Sequence, residues 1–217
     1  MVSFRHKSAS DYATAAIRQM ILTGELPPGA RVDQNEMAKQ LDLSRHPVRQ
    51  AIERLAERGF VQSRPHRSVI VSDLSADDMQ QLYDARQVLE DMAIRLAWPR
   101  YDAAFLAAQE KLIKAMERAR DIDDLDDFMV QNAEFHMGFY RPCGNVHLIR
   151  VIDTLFQLSE RYQRTALMVK ARSTTSADEH RAMLDVIRSG DVDTLIATCS
   201  AHNTGTMQTV KSALERR

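Results

Sequence analysis

The chain has 217 residues, 44% hydrophobic and 27% charged, with a net charge of -1, which is the make-up of a globular protein with room for one large or two modest domains. No stretch approaches the ~18 uninterrupted apolar residues of a membrane span, the start MVSFRHKSAS lacks the apolar stretch of a signal peptide, and Cys143 and Cys199 lack CxxC spacing. Neither a membrane-spanning helix nor a disulfide framework is therefore expected; a soluble cytoplasmic protein is expected. The near-zero charge hides an asymmetry: residues 1–72 carry 11 Lys and Arg against 7 Asp and Glu, and the remainder 18 against 23. A basic first third on an acidic remainder predicts two domains with different partners, 1–72 and 73–217.

Taken in chain order, Asp11 to Thr23 has apolar Tyr12, Ala16, Ile17, Met20 and Ile21 at helical spacing and ends at Gly24 and Pro27-Pro28-Gly29. Asp33 with Glu36 has the capping-box pattern for a helix through Leu41. After the turn Asp42-Leu43, Ser44 caps a third helix in which Pro47 occupies the first turn, Val48, Ile52 and Leu55 form the buried stripe, and Gly59 ends it. Phe60-Val61 and Ser68 to Val71 read as two short strands around Pro65-His66-Arg67. Three helices and a β-hairpin make a winged helix-turn-helix. Beyond the linker Ser72 to Ser75 the pattern is helical throughout: one helix to about Trp98, then helices at 102–120, 123–141, 145–170, 175–189 and 191–214. The expected fold is mainly α, with the winged unit followed by an all-α six-helix bundle. The acidic run Asp121 to Asp127 falls at a helix start, where carboxylates suit the macrodipole.

A recognition helix delivers its N-terminal residues to base edges. Arg45 and Arg49 stand four residues apart on one face, off the Val48/Ile52/Leu55 stripe. Arginine matches the paired acceptors of guanine, Ser44 can turn to a phosphate, and Arg67 at the hairpin tip reaches the backbone or minor groove. Taken alone Arg45, Arg49, Arg54 and Arg58 read more readily as a solvated surface helix; the order turn, helix, turn, helix, hairpin selects DNA binding.

In the second domain Asn132 and His136 share a helix face with Met129, Ala133, Phe139 and Tyr140, so that face points inward. His180 and His202 fall on two further helices. Three imidazoles and an amide oxygen suit a divalent transition metal, but on spacing alone hydrogen-bonded core residues are the more ordinary reading. Arg86 lies on the apolar face of Leu82, Leu89 and Ala93, which demands a partner: an anionic ligand, an acid such as Glu90, or the first domain.

The segments PPGARV and LSRHPVRQAIERLAERGFV resemble the N-terminal domain of GntR-family transcription regulators. LYDARQVLEDMAIRLA, NAEFH, GNVHLI, DEHRAMLDVIRSGD and the late His202 are similar to the helical ligand-sensing FCD domain of the FadR-type branch. The resemblance covers nearly all of the chain from residue 11. It implies a ligand-responsive regulator, in most members a repressor and not an enzyme, acting as a homodimer on double-stranded operator DNA. Arg31, Ser44, Arg45, His46, Arg49 and Arg67 would face the DNA. Its [D/N]-x3-H…H…H pattern maps onto Asn132, His136, His180 and His202 as ligands of zinc, or of nickel, copper or manganese, with a small carboxylate as effector and Arg86 as a second anion contact. Asn132 stands where Asp is common, leaving the ion's charge less compensated and an incoming carboxylate more strongly held. Ser68 and Gln50 depart from the family's glycine and glutamate, which bears on wing geometry and operator sequence. Two other readings stay in view. One is the same regulator with a metal-free effector pocket; the other is a metal-dependent hydrolase, for which Glu134 would be the nearest general base.

Overall fold

The computed structural model of the chain describes residues 8–64, 68–168 and 170–215. The chain divides into two compact units, Met1–Leu74 and Ser75–Arg217.

In the first unit, α1 (Ala9–Thr23) starts earlier than the expected Asp11 because Asp11 is the inner arm of a capping box. The Ser8 hydroxyl accepts from the Asp11 N–H at 3.1 Å, and the Ser8 N–H donates to the Asp11 carboxylate at 3.0 Å. The Ser8 hydroxyl and then the Arg54 guanidinium lower the Asp11 pKa from 3.8 to about 2. The stabilisation is therefore complete above the ordinary carboxylate range and is lost as pH falls through the lowered value. The pair with Arg54, 2.6 Å long, ties α1 to α3. Helix α2 (Gln34–Gln40) is capped by Asp33, which accepts from the N–H groups of Asn35 and Glu36; no reciprocal bond from Glu36 accompanies it among the described bonds. Helix α3 (Arg45–Glu57) buries Val48, Ala51, Ile52 and Leu55 in one core with Ala13, Ile17, Phe60 and Val71. Strands β1 (Val61–Arg64) and β2 (Ser68–Val71) pair antiparallel, Val61 opposite Val71 and Arg64 opposite Ser68. Phe60, expected in the first strand, instead precedes it and is fully buried. The turn after α1 adds an unexpected edge to this sheet, with the Val32 N–H donating to the Val69 carbonyl and Arg31 bridged to Ile70.

The second unit holds α4 (Ala76–Ala97), α5 (Ala103–Asp121), α6 (Leu125–Tyr140), α7 (Val146–Leu167), α8 (Lys170–Ser189) and α9 (Val192–Leu214). Short 3-10 turns at Trp98–Arg100 and Arg141–Cys143 follow α4 and α6, each with a proline at its start. Asp102, Asp124, Asn145 and Asp191 cap α5, α6, α7 and α9 with their side chains. The acidic run does what its position suggests: Asp124 is the cap, and Asp126 and Asp127 occupy the first turn of α6. The gap expected between the helices at 145–170 and 175–189, at Ser173-Thr174, is not there; α8 runs continuously from Lys170. Serine and threonine are weak helix formers but neither removes a backbone donor as proline does, and the segment has no glycine or proline to end it. At the start of α4 the Tyr162 hydroxyl, from α7, donates to Asp78 Oδ2 at 2.7 Å and accepts from the Ser75 N–H at 3.3 Å. The bundle core gathers Met116, Phe128, Phe135, Phe139, Ile152 and Leu195.

Helices α5 and α6 meet at Gly138, where a Cβ would lie 2.1 Å from Gln109 Nε2. That buried amide donates to the Phe135 carbonyl at 3.2 Å. Gly138→Ala, which in an open helix stabilises by about 1 kcal/mol, should here destabilise by about 1–3 kcal/mol, lowering Tm by several degrees. Thermal melting checks this, and adding Gln109→Ala should recover part of the loss; a Gly138→Ala protein as stable as wild type would refute the close approach.

Candidate functional site

Ser44, Arg45, His46 and Arg49 lie at the exposed N-terminal end of α3, opposite its buried stripe. Ser44 has the extended backbone of an N-cap, but its hydroxyl makes no capping bond to the helix, which leaves the first-turn N–H groups without a side-chain cap. Arg49 Nη2 is 3.5 Å from His46 Nδ1 and its Nε is 3.9 Å from Glu53, weak contacts that leave the guanidinium ready for exchange. Arg31 is well exposed and pairs with Asp33 at 3.2 Å. Arg67 lies outside the described residues. Ser68 is a strand residue opposite Arg64 and is not among those with positive φ, so a glycine's freedom is not used at that position.

In the second unit His136 on α6, His180 on α8 and His202 on α9 converge. Each offers a ring nitrogen, and these nitrogens lie within 4.8 Å of one another. The ring centroids are 4.9–5.1 Å apart, and all three side chains are buried. Among the described residues this is the group of His, Cys, Asp and Glu side chains arranged to hold an ion. The donor set fits a divalent transition metal: three imidazoles delivered from three helices to one place. His202 Nδ1 is 2.6 Å from Glu179 Oε2. A carboxylate only accepts, so the proton sits on Nδ1 and the other nitrogen, Nε2, is left as the basic one. Glu179 was not picked out from the sequence, although an acid immediately before a candidate ligand histidine was the available signal. Asn132, one turn before His136, is buried and lines the same small cavity, about 20 Å³, together with His136, His202 and Arg86. That is space for about one water.

Arg86 is fully buried in the cavity wall, as expected of an effector contact, but its charge is engaged. Its Nε donates to Glu90 Oε1 at 2.7 Å and its Nη1 to the Ser159 hydroxyl at 2.9 Å. The guanidinium carbon sits 4.6 Å from the Tyr83 ring centre and 4.8 Å from that of Phe156. Burial opposes its charge, and the Glu90 carboxylate more than reverses this, so its pKa rises above the ordinary arginine value. Of the partners the sequence allowed, Glu90 is the one the fold supplies. Glu134, the nearest acid for a hydrolase, is exposed in a two-pronged pair with Arg141 at 2.6 and 2.9 Å, which lowers its pKa. Cys143 and Cys199 are both free thiols, and burial raises the pKa of Cys199.

Comparison with known proteins bears on both regions. Residues 9–71 match the model of bacterial regulatory proteins of the gntR family, and residues 81–205 match the FCD domain. A probable D-xylose utilization operon transcriptional repressor of Paenarthrobacter nicotinovorans is 30% identical over 175 residues, covering 79% of this chain and 75% of that one. An uncharacterized HTH-type transcriptional regulator in an unstable DNA locus of Streptomyces ambofaciens is 28% identical over 177 residues, covering 81% of this chain and 74% of its own. The structure of McbR/YncC of E. coli shares the fold, with a TM-score of 0.75 at 21% identity over 96% of this chain and 98% of that one.

Proposed function

Since the chain belongs to the gntR family of bacterial regulatory proteins and carries an FCD domain, and is thus a DNA-binding transcription regulator and not an enzyme, we propose that it is a cytoplasmic repressor responding to a small carboxylate at the histidine cluster. The observation that carries the sensing half is the convergence of His136, His180 and His202 with their ligand nitrogens within 4.8 Å. A divalent transition ion held there, with zinc the first choice and Asn132 as fourth ligand, would supply a dipositive charge and open positions for a carboxylate. Glu179 orients His202, and the Phe135 ring, 4.3 Å from that of His180, limits tilting of that imidazole.

The cavity holds about one water, so a carboxylic acid enters only if the wall gives way. Its wall comes from α4, α6, α7, α8 and α9, through Arg86, Asn132, Phe156, Ser176 and His202. Binding therefore favours one arrangement of those helices over another, and operator affinity changes by the effector's differential affinity for the two. On the DNA side Arg45 and Arg49 read base edges, while Arg31, Ser44 and His46, and by expectation Arg67, hold phosphates. One recognition helix reads too few base pairs for useful specificity, so a two-fold homodimer on a palindromic operator is part of the proposal. The relative named as a probable repressor supports that sign of regulation.

The test is a gel shift on DNA flanking its own gene, with zinc-loaded and chelator-stripped protein. The expected result is a retarded complex that a matching carboxylate weakens in the zinc-loaded form. Release by the same acid from stripped protein would favour the metal-free pocket instead, and absence of any specific complex would sink the operator reading.

A further inference from the structure

Arg86 and Glu90 lie in successive turns of α4 and form an ion pair with side-chain exposures of 1% and 3%. Buried ion pairs rarely stabilise more than an apolar pair of the same size would, so their presence beside a binding cavity calls for a reason. Glu90 is held through both oxygens. Its Oε1 accepts from Arg86 at 2.7 Å and its Oε2 from Asn203 Nδ2 at 3.3 Å. Arg86 and Asn203 both line the cavity that His136 and His202 line. The cation and the amide best placed to grip an incoming anion are thus already turned onto the protein's own carboxylate.

We infer that Glu90 is the pocket's internal counter-anion: it cancels the charge of Arg86, so that a carboxylate effector depends for its charge partner on the ion at His136, His180 and His202. The inference rests on the metal-site reading given above. The alternative, in which the effector takes Glu90's place on Arg86, loses on two counts. Breaking a buried pair leaves an uncompensated carboxylate, at a cost comparable to the whole binding free energy of a millimolar ligand. Glu90 is also tethered one helical turn away, so a free anion competes with a group at high effective concentration. Arg86, its donors turned onto Glu90 and Ser159, then contributes no net charge to the pocket, and discrimination between acids and neutral molecules passes to the ion. Stripped of metal, the pocket has no means of preferring an anion.

Cobalt(II) titration of the full chain, followed by its visible spectrum, first reports the metal site alone; absence of uptake would overturn the metal-site reading itself, separately from the role of Glu90. Acetate is then titrated into the cobalt-loaded wild type and an Arg86→Gln/Glu90→Gln double variant, in which both charges are gone and no buried ion is stranded. The spectral change should give affinities within about twofold of each other, the spread expected of independent sites. A loss of about tenfold or more in the double variant would show that Arg86 supplies charge to the anion and would overturn the inference. Glu90→Gln alone adds a gain-of-function readout: its metal-free form should be stabilised thermally by acetate, while the metal-free wild type is not. A metal-free wild type stabilised as strongly as the loaded protein would also overturn it. If the single variant does not fold, the double variant decides.

Discussion

Zinc should raise the melting temperature of the wild-type protein and leave His180→Ala unmoved. At a thousandfold excess over its dissociation constant a ligand that binds only the folded form adds about 4 kcal/mol. For a chain of this size that corresponds to roughly 10 °C. His180 is fully buried and packs on Phe135, so alanine also lowers the metal-free melting temperature. The quantity to compare is therefore the zinc-induced shift and not the melting temperature itself. Glu179→Gln grades the same experiment. It keeps the shape of the contact to His202 but removes the carboxylate that fixes the proton on Nδ1, and zinc affinity should fall by about 10- to 100-fold. A pocket of ordinary core histidines predicts no zinc shift in any of the three proteins, and that result would end the metal reading.

The second large effect is on DNA. Arg45→Ala should raise the dissociation constant for the operator by about 10- to 100-fold per half-site, the worth of one two-pronged arginine contact to guanine. The loss should depend on sequence, appearing on the operator and not on random DNA of equal length. Arg31→Ala should instead weaken both kinds of DNA alike and reduce the salt slope by about one. Because Arg45 is exposed and lies off the buried stripe of α3, neither stability nor zinc binding should change. Unaltered operator affinity in Arg45→Ala would remove α3 from the groove.

Most of this was legible in the residues because the signals were local. Asp33 and Ser44 sit where helices begin, and the Val48/Ile52/Leu55 stripe at helical spacing named the face of α3 that packs inward. The misjudged boundaries share one cause: a residue type was read as a start or stop when its partner decided the matter. Asp11 looked like a helix start because its role as the inner arm of a box depends on Ser8. Ser173-Thr174 looked like a break because hydroxyl residues are weak helix formers, although nothing there blocks the ladder. The histidines could be paired with one another only through the family pattern, since contacts across three helices leave no trace in spacing. Glu90 was already among the partners open to Arg86, whereas Glu179 was harder still, because it acts through His202 and its importance appears only when the distance between them is known.

The Tyr162 hydroxyl has a mechanical meaning beyond its two bonds. It lies on α7, the helix that also carries Phe156 and Gln163 to the cavity wall, and it grips Asp78 and the Ser75 N–H at the first residue of the bundle. A sideways step of α7 larger than a few tenths of an ångström must break that grip or drag Ser75 along. The chain thus enters the bundle at a point anchored to α7.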